Sequence, residues 1–295
     1  MNVAPTAGRK QTPGARARTE RRRTAARVTV LSLIALPWVV LPLWLLLVNS
    51  AKPLEEASLL DLGLPTRWAL WDNYTTVIRE GHYRQALTNS LTVVVPTIMV
   101  VILLGSMAAW GYARSPSMTA KIAYNLTVLS VVLPPAILPT IYELQTLHIN
   151  GSRIGYFLVL SGTRMGAVVF LATGFIKSIP RELEEAAALD GANRPQIFAR
   201  IILPLVVPVL LVGSVILIIS TWNEFFFAEF LLQGQDRATL PLSLYQVASA
   251  SADQSVLRWN LVFAHVVLTS LPIVLVYLVV QRRVIPGLSS GAIKG

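Results

Sequence analysis

Two charged residues lie inside long apolar stretches of the sequence and are the first candidates for chemistry. Arg164 falls in the middle of one apolar run, and Glu224, preceded by Asn223, falls near the end of another. A charge at the bilayer centre costs roughly 2.5–3.5 kcal/mol on insertion scales, so it usually faces the protein interior or water. Arg164 is therefore part of a polar pathway, a partner for an acid on a companion protein, or an interfacial residue of a differently placed span. Glu224 and Asn223 either line a polar pathway or cap a helix end.

Groups that perform catalysis are not recognisable in the sequence. No G-x-x-x-x-G-K-[ST] phosphate loop occurs, so the chain itself is not expected to hydrolyse ATP. The chain has no cysteine, and its three histidines are scattered, so neither thiol chemistry nor a metal cluster is indicated. We expect no catalytic, metal-binding or cofactor-binding residue in this chain. Energy for any transport has to come from a partner or from a gradient.

A charged, helix-forming block at residues 181–204 separates two apolar runs. Ser178 is placed to cap a first helix that begins with several glutamates, which the helix dipole favours near an N-terminus. Gly191 predicts the end of that helix, since glycine readily takes the left-handed conformation. Asn193 and Gln196 predict a capping box that starts a second helix. The block therefore predicts a helix, a turn and a second helix that merges with the next apolar run.

The composition is that of a membrane protein. The chain of 295 residues is 54% hydrophobic and 14% charged, whereas a soluble domain is about 25% charged. An apolar run of about 20 residues spans the hydrocarbon core of a bilayer as a helix. We therefore predict an all-α, polytopic membrane protein with six transmembrane helices, near 28–48, 86–112, 122–142, 154–176, 205–227 and 260–280. The third span is expected to break at Pro134-Pro135 and Pro139.

The distribution of basic residues predicts the orientation of these spans. Residues 1–27 hold eight Lys/Arg and no apolar periodicity, so we expect a disordered cytoplasmic N-terminus and no nucleic-acid partner. With the N-terminus inside, cytoplasmic segments hold 17 Lys/Arg and external segments hold seven. The positive-inside rule therefore favours cytoplasmic N- and C-termini. A permease domain over 28–285 and a cytoplasmic tail over 286–295 complete the predicted organisation.

The 181–204 block resembles a known family. Glu185-Ala186-Ala187, followed at fixed spacing by Gly191, Ile201 and Leu203-Pro204, is similar to the EAA loop of ATP-binding-cassette (ABC) importer permeases. Further segments resemble carbohydrate-uptake permeases of the maltose-transporter type, and the length resembles their smaller permease subunit. These segments are Asn73-Tyr74, Asn89-Ser90-Leu91, Tyr112-Ala113-Arg114, Trp222-Asn223-Glu224-Phe225 and the ending Gly287-Leu288 to Gly291-Ala292-Ile293-Lys294-Gly295.

The resemblance implies a function and a set of partners. The chain would be the permease subunit of a bacterial ABC importer in the cytoplasmic membrane, moving a sugar or oligosaccharide inward by alternating access. Its partners would be a second permease subunit, two copies of an ABC ATPase that carry the ATP and Mg²⁺, and an extracytoplasmic solute-binding protein. Residues 177–204, the coupling loop, would contact the ATPase. The implied coupling residues are Glu185, Ala186, Ala187, Asp190, Gly191, Ile201, Leu203 and Pro204.

A solute pathway is the second implied site. Asn223 and Glu224 can hydrogen-bond sugar hydroxyls, Trp222 or Phe226 can stack on a sugar ring, and Arg164 can extend the polar path. Two other functions stay open at this point. An ABC importer for glycerol phosphate, a peptide or another solute would share the coupling loop. A gradient-driven carrier would typically show internal repeats and paired intramembrane acids, and the sequence has no clear repeat.

Overall fold

The structure, a computed structural model, describes residues 13–133, 136–252 and 257–291. Within these residues every regular element is helical, apart from one isolated bridge between Gly151 and Leu232. The α-helices are α1 (Pro13–Ser50), α2 (Leu54–Ala57), α3 (Leu70–Arg79), α4 (Tyr83–Arg114), α5 (Met118–Val132), α6 (Ile137–Thr146), α7 (Arg153–Ser178), α8 (Glu182–Leu189), α9 (Arg194–Ile197), α10 (Leu203–Trp222), α11 (Phe226–Leu231), α12 (Leu240–Ala252) and α13 (Trp259–Gly291). The predicted all-α class is confirmed.

Five helical stretches in the described residues are long and apolar enough to cross a membrane. They are Arg27–Ser50, Tyr83–Arg114, Arg153–Ser178, Arg194–Trp222 and Trp259–Val279. Helices α5 and α6 together meet the same criterion but are bent by 117°. The six predicted spans are therefore present if this bent pair is counted as one span.

The bend between α5 and α6 falls where the sequence predicts a break. Pro134 and Pro135 themselves lie outside the described residues, and α5 ends just before them at Val132. Pro139 lies in the first turn of α6, where the missing backbone N–H removes no intrahelical hydrogen bond. Pro139 therefore starts the second half of the pair instead of interrupting it.

Helices α4 and α7 pack closely at the centre of the bundle. A Cβ atom on Gly105 of α4 would lie 2.9 Å from the Cγ1 atom of Val168 on α7. On α7, a Cβ atom on Gly166 would lie 2.4 Å from the backbone oxygen of Thr127 on α5. Small residues at such contacts let helix backbones approach each other in a membrane. Gly105 and Gly166 therefore allow α7 to approach α4 on one side and α5 on the other.

Both chain ends differ from the sequence prediction. Residues 13–27, expected to be disordered, form the first part of α1, because their many alanines and arginines are strong helix formers. Residues 286–291, predicted to belong to a tail separate from the last span, continue α13 as far as Gly291. Residues 1–12 and 292–295 lie outside the described part of the chain.

The two ends of the bundle are formed by different segments of the chain. One end carries residues 115–117 and 179–193, and we call it the α8 face. The other end, the opposite face, holds buried polar side chains that satisfy backbone groups. Asn73 donates from Nδ2 to the carbonyl oxygens of Ser50 at 3.0 Å and Lys52 at 2.9 Å. Asn260 donates to Asn73 Oδ1 at 2.7 Å. These bonds tie the end of α1 to α3 and α13.

A second pair of polar residues closes the opposite face around residues 236–240. Asn89 Nδ2 donates to the carbonyl oxygens of Asp236 and Ala238, each at 2.9 Å. Ser90 Oγ accepts the backbone N–H of Leu240 at 2.8 Å. Buried backbone groups of a loop need such partners. The side chains that carried part of the family resemblance therefore hold α4 to the loop before α12.

Candidate functional site

The coupling loop begins where α7 ends. Glu182, Glu184 and Glu185 occupy the first turn of α8, where the helix dipole stabilises negative charge. The predicted cap is wrong: Ser178 is the last residue of α7, and its Oγ donates to the carbonyl oxygen of Phe175 at 2.7 Å. Arg181 stands at the N-cap of α8 and makes no side-chain capping bond. The apolar helix continues to Ser178, two residues past the predicted end of the span at residue 176.

The turn after α8 follows the prediction closely. Gly191 has a φ of +83°, a left-handed conformation that glycine adopts without steric cost. Asn193 and Gln196 form the predicted capping box. The Asn193 N–H donates to Gln196 Oε1 at 2.9 Å, and the Gln196 N–H donates to Asn193 Oδ1 at 3.0 Å. The turn is therefore fixed at both ends by local hydrogen bonds.

The second helix of the loop continues directly into the next span. A five-residue π-helical stretch, Phe198–Ile202, joins α9 to α10. Pro204 lies in the first turn of α10. Stretches of π-helix occur frequently at functional sites, and no feature of the sequence predicted this one. The second helix of the loop and the following span therefore form one continuous helical element from Arg194 to Trp222.

The two faces of α8 have different environments. Glu184 and Ala187 are partly buried, and Ala187 packs against the core cluster. Glu185, Ala186 and Asp190 are exposed, as is Leu189, whose side chain is 89% exposed. A solvent-exposed leucine beside a small alanine is an apolar surface without a partner among the described residues.

A shallow cavity of about 420 Å³ connects the predicted coupling residues. It is lined by Ala187, Asp190, Gly191, Ala192, Gln196, Arg200 and Ile201. Leu203 and Pro204 lie one turn further along, where Leu203 packs against the core cluster and Pro204 is exposed. The structure thus gathers four of the predicted coupling residues around one cavity and places Glu185 and Ala186 on the outward face of α8.

The two intramembrane charges lie together, which the sequence did not predict. Arg164 Nη2 and Glu224 Oε2 are 2.7 Å apart, and the two side chains are 26% and 10% exposed. Arg164 Nη2 also donates to the carbonyl oxygen of Ser220 at 3.3 Å. Glu224 Oε1 accepts the N–H of Phe227 at 2.9 Å, and therefore caps α11. Arg164 therefore has an acidic partner within its own chain, and Glu224 bonds the first turn of α11 as the helix-cap interpretation predicts.

The predicted aromatic residues of the solute pathway differ in accessibility. Trp222 is 5% exposed, and its Nε1 donates to the carbonyl oxygen of Thr269 at 3.2 Å. The ring is enclosed by the bundle in this structure, so the predicted stacking of Trp222 on a solute would require the ring to become exposed. Phe226 is 55% exposed, and its ring lies 5.1 Å from that of Phe230. Asn223 is exposed, although its Nδ2 donates to the carbonyl oxygen of Ile219.

A larger cavity that the sequence did not predict lies inside the bend between α5 and α6. Its volume is about 630 Å³. Most of its lining is leucine and isoleucine, and its polar lining residues are Ser130, Thr140, Glu143 and Thr163. Because the cavity forms only when α6 folds back beside α7, no local pattern in the sequence could have located it.

Comparison with a family model assigns most of the chain to a known group. A model described as "Binding-protein-dependent transport system inner membrane component" matches residues 101–290. This match contains the C-terminal part of α4, the bent pair, the coupling loop and almost all of α13.

Curated relatives match over nearly the full length. The chain is 30% identical to the "Probable starch degradation products transport system permease protein AmyC" of Thermoanaerobacterium thermosulfurigenes, over 88% of this chain and 93% of the relative. It is 28% identical to the "Diacetylchitobiose uptake system permease protein NgcG" of Streptomyces coelicolor, over 92% of this chain and 90% of the relative. It is 26% identical to the "Trehalose transport system permease protein SugB" of Mycobacterium tuberculosis, over 92% of this chain and 99% of the relative.

Solved structures share the fold. A chain from the crystal structure of "a bacterial ABC transporter involved in the import of the acidic polysaccharide alginate" superposes with a TM-score of 0.75 at 20% identity. The superposition covers 90% of this chain and 97% of that chain. A second structure, of the alginate ABC transporter with its pentasaccharide-bound periplasmic protein, gives a TM-score of 0.65 at 16% identity.

Proposed function

Because the chain belongs to the family of binding-protein-dependent transport system inner membrane components, we propose that it is the permease subunit of an ATP-driven sugar importer. The observation that carries this proposal is the exposed side of α8. There Glu185, Ala186 and Leu189 form a surface beside a cavity, at the position where the chain resembles the EAA loop.

A sugar is the solute class that the relatives support. Their names refer to starch degradation products, diacetylchitobiose and trehalose. Glycerol phosphate, by contrast, would need free basic groups along the pathway. Arg164, the candidate within a span, is already paired with Glu224. The pathway therefore offers little for a phosphate group, and a neutral carbohydrate is the better fit.

The outward face of α8 is the proposed contact with a separate ATPase. That subunit would carry ATP and Mg²⁺, because this chain has no phosphate loop. Leu189 is the apolar residue most exposed on this face, and the small side chain of Ala186 would allow a partner to approach closely. Differential binding of α8 by the two states of the ATPase would then shift the spans between inward-open and outward-open forms.

The remaining partners follow from the same proposal. A second permease subunit and a second copy of the ATPase would complete the transporter. An extracytoplasmic solute-binding protein would deliver the sugar, as the structure of the alginate transporter with its periplasmic protein supports. The excess of Lys/Arg on the α8 side supports cytoplasmic N- and C-termini and a cytoplasmic α8 in a bacterial membrane.

The solute pathway is proposed to run beside α7 and not past Trp222. The cavity in the bend between α5 and α6 offers hydroxyl groups on Ser130, Thr140 and Thr163 and a carboxylate on Glu143. Such groups can bind sugar hydroxyls. Exposed Phe226 is the one predicted aromatic that remains available to stack on a sugar ring.

A pull-down from native membranes tests the proposal. The tagged chain, solubilised in mild detergent, should retain an ATPase with a phosphate loop and a second permease, both identified by mass spectrometry. Leu189→Asp should remove the ATPase. Leu147→Asp, at an exposed leucine on the opposite face, should retain it. Recovery of the wild-type chain alone, or as a homo-oligomer without an ATPase, would overturn the proposal in favour of a gradient-driven carrier.

A further inference from the structure

The inward side of α8 carries a second glutamate with a different environment from Glu185. Glu184 Oε2 accepts the indole N–H of Trp110 at 3.0 Å, and Glu184 Oε1 accepts Arg114 Nε at 2.7 Å. The side chains of Arg114 and Glu184 are 16% and 15% exposed. Both carboxylate oxygens are therefore bonded to α4, more than 60 residues earlier in the chain.

The two residues from α4 also hold the segments on either side of α8. Arg114 Nη2 donates to the carbonyl oxygen of Ile179, just before α8, at 2.9 Å. The ring of Trp110 lies 5.8 Å from that of Phe198, just after α9. Because Trp110 and Arg114 are four residues apart, they project from the same face of α4. The last turn of α4 thus contacts the coupling loop before, within and after α8.

We propose that Glu184, Trp110 and Arg114 form a link, the α4 clamp, that makes α4 follow α8 when the ATPase moves it. This inference rests on the proposed function and assigns positioning roles, since none of the three residues needs to touch the partner. Apart from Glu184, only Ala187 on α8 faces the bundle, and a methyl group offers no directional bond. Without the clamp, a push on α8 would be absorbed by the short linker at residues 179–181 and by the turn at Gly191.

The clamp also explains why the two adjacent glutamates are not equivalent. Glu185 is exposed and available to a partner, whereas Glu184 is partly buried and bonded to α4. A guanidinium binds in a planar fork that a lysine ammonium does not reproduce. Arg114 uses this geometry to hold Glu184 through Nε and Ile179 through Nη2 at the same time. Lysine at position 114 is therefore expected to be a poor substitute.

Labels on the two helices test the link directly and need no knowledge of the solute. The chain contains no cysteine, so single cysteines can be introduced for a fluorescent label. Glu182→Cys reports on α8, and Met107→Cys reports on α4; both positions are exposed. The labelled chain is purified in its complex with the ATPase, and the signal is compared with Mg²⁺-ATP and with Mg²⁺-ADP.

In the wild-type complex both labels should respond to ATP. In Glu184→Gln and Arg114→Gln the α8 label should still respond, while the α4 response falls about fivefold or more, the low end of usual coupling factors. Arg181→Gln is the matched control, because it removes an exposed arginine next to α8 that is outside the clamp. It should leave both responses unchanged.

Three outcomes would distinguish an error in the α4 clamp from an error in the proposed function. A wild-type response of the α4 label in Glu184→Gln would overturn the clamp while leaving the proposed function intact. An equal loss at both labels would also overturn it, since the variant would then have disturbed α8 itself and not transmission from it. Failure of the wild-type chain to purify with any ATPase would instead overturn the proposed function.

Discussion

The guanidinium of Arg164 and the carboxylate of Glu224 form an ion pair inside the helix bundle, although the two residues are 60 positions apart in the sequence. The pair joins the middle of α7 to the short segment between α10 and α11. Tyr156 adds a bond from its hydroxyl to the carbonyl oxygen of Glu224 at 3.4 Å. This network fixes the point where the fifth span ends and the chain turns along the opposite face.

Glu224→Gln is expected to destabilise the protein by removing the ionic partner of Arg164. A hydrogen bond to a charged group contributes about 1.5–3 kcal/mol, and the loss should appear as a lower unfolding temperature in detergent. Glu80→Gln, at an exposed carboxylate, should change stability by less than about 0.5 kcal/mol. Arg164→Ala combined with Glu224→Ala should cost less than the sum of the two single changes. Additive costs would mean that the pair does not contribute to stability.

Because α7 packs closely against α5, substitution by alanine should affect stability very differently at two glycines of α7. Gly166→Ala would place a methyl group 2.4 Å from the carbonyl oxygen of Thr127 and 2.6 Å from Ser130 Oγ. Overpacking of this kind costs about 1–3 kcal/mol. Gly162, four residues earlier, has nothing within 4 Å of its Cβ position. Gly162→Ala should therefore be neutral or stabilising by up to about 1 kcal/mol. Equal thermal stability of the two variants would contradict the close approach of α5.

The segment between α1 and α3 is expected to lose its ordered structure at low pH. The ammonium of buried Lys52 bonds the carboxylate of Asp61 and lowers the pKa of Asp61 below its ordinary 3.8. Hydrogen bonds from Thr66 lower the pKa of Glu56 below its ordinary 4.5. A depressed pKa in the folded state gives stability that is present above the ordinary value and lost as pH falls through the folded value.

The protection of backbone amides in residues 51–69, measured as the exchange rate relative to the intrinsic rate at the same pH, should therefore stay high at neutral pH and fall below the ordinary carboxylate range. Asp61→Asn should speed this exchange even at neutral pH, because Lys52 is only 1% exposed and would lose its charged partner. The variant should also show a weaker dependence on pH. A protection factor that is independent of pH in the wild-type segment would rule out a structural role for the two carboxylates.

Features encoded in neighbouring residues could be predicted from the sequence. The apolar runs predicted the spans, with α5 and α6 counted as one span. The left-handed turn at Gly191 and the capping box of Asn193 and Gln196 lie at the predicted positions. The proposed coupling residues were likewise located by the fixed spacing of their resemblance to the EAA loop. Each of these features depends on side chains within a few residues of one another, which periodicity and capping rules describe well.

Features that depend on distant residues could not be predicted. Nothing local indicates that Arg164 pairs with Glu224, that Trp110 bonds Glu184, or that Trp222 is buried by α13. The sequence predicts Trp222 and Glu224 as pathway residues because polar or aromatic residues within a span often line a path. Tertiary contacts decide instead which of these side chains remains accessible. Locating the proposed solute pathway therefore depends on the structure more than locating the proposed ATPase contact does.

The left-handed turn after α8 gives the last prediction. Gly191 has a φ of +83°, and its Cβ position meets no atom within 4 Å. Gly191→Ala therefore creates backbone strain without a clash, and should cost about 1–2 kcal/mol, the penalty of the left-handed conformation for an L-residue. Gly174→Ala is the matched control, since Gly174 is helical and its Cβ position is equally open; it should not lower stability.

Gly191→Pro should have a larger effect than Gly191→Ala, because proline holds φ near −65° and the direction of α8 would have to change. The proline variant should reach the membrane in normal amounts but lose the coupling of ATP hydrolysis to uptake in proteoliposomes. Normal coupling in this variant would show that the direction of α8 is unimportant for transport.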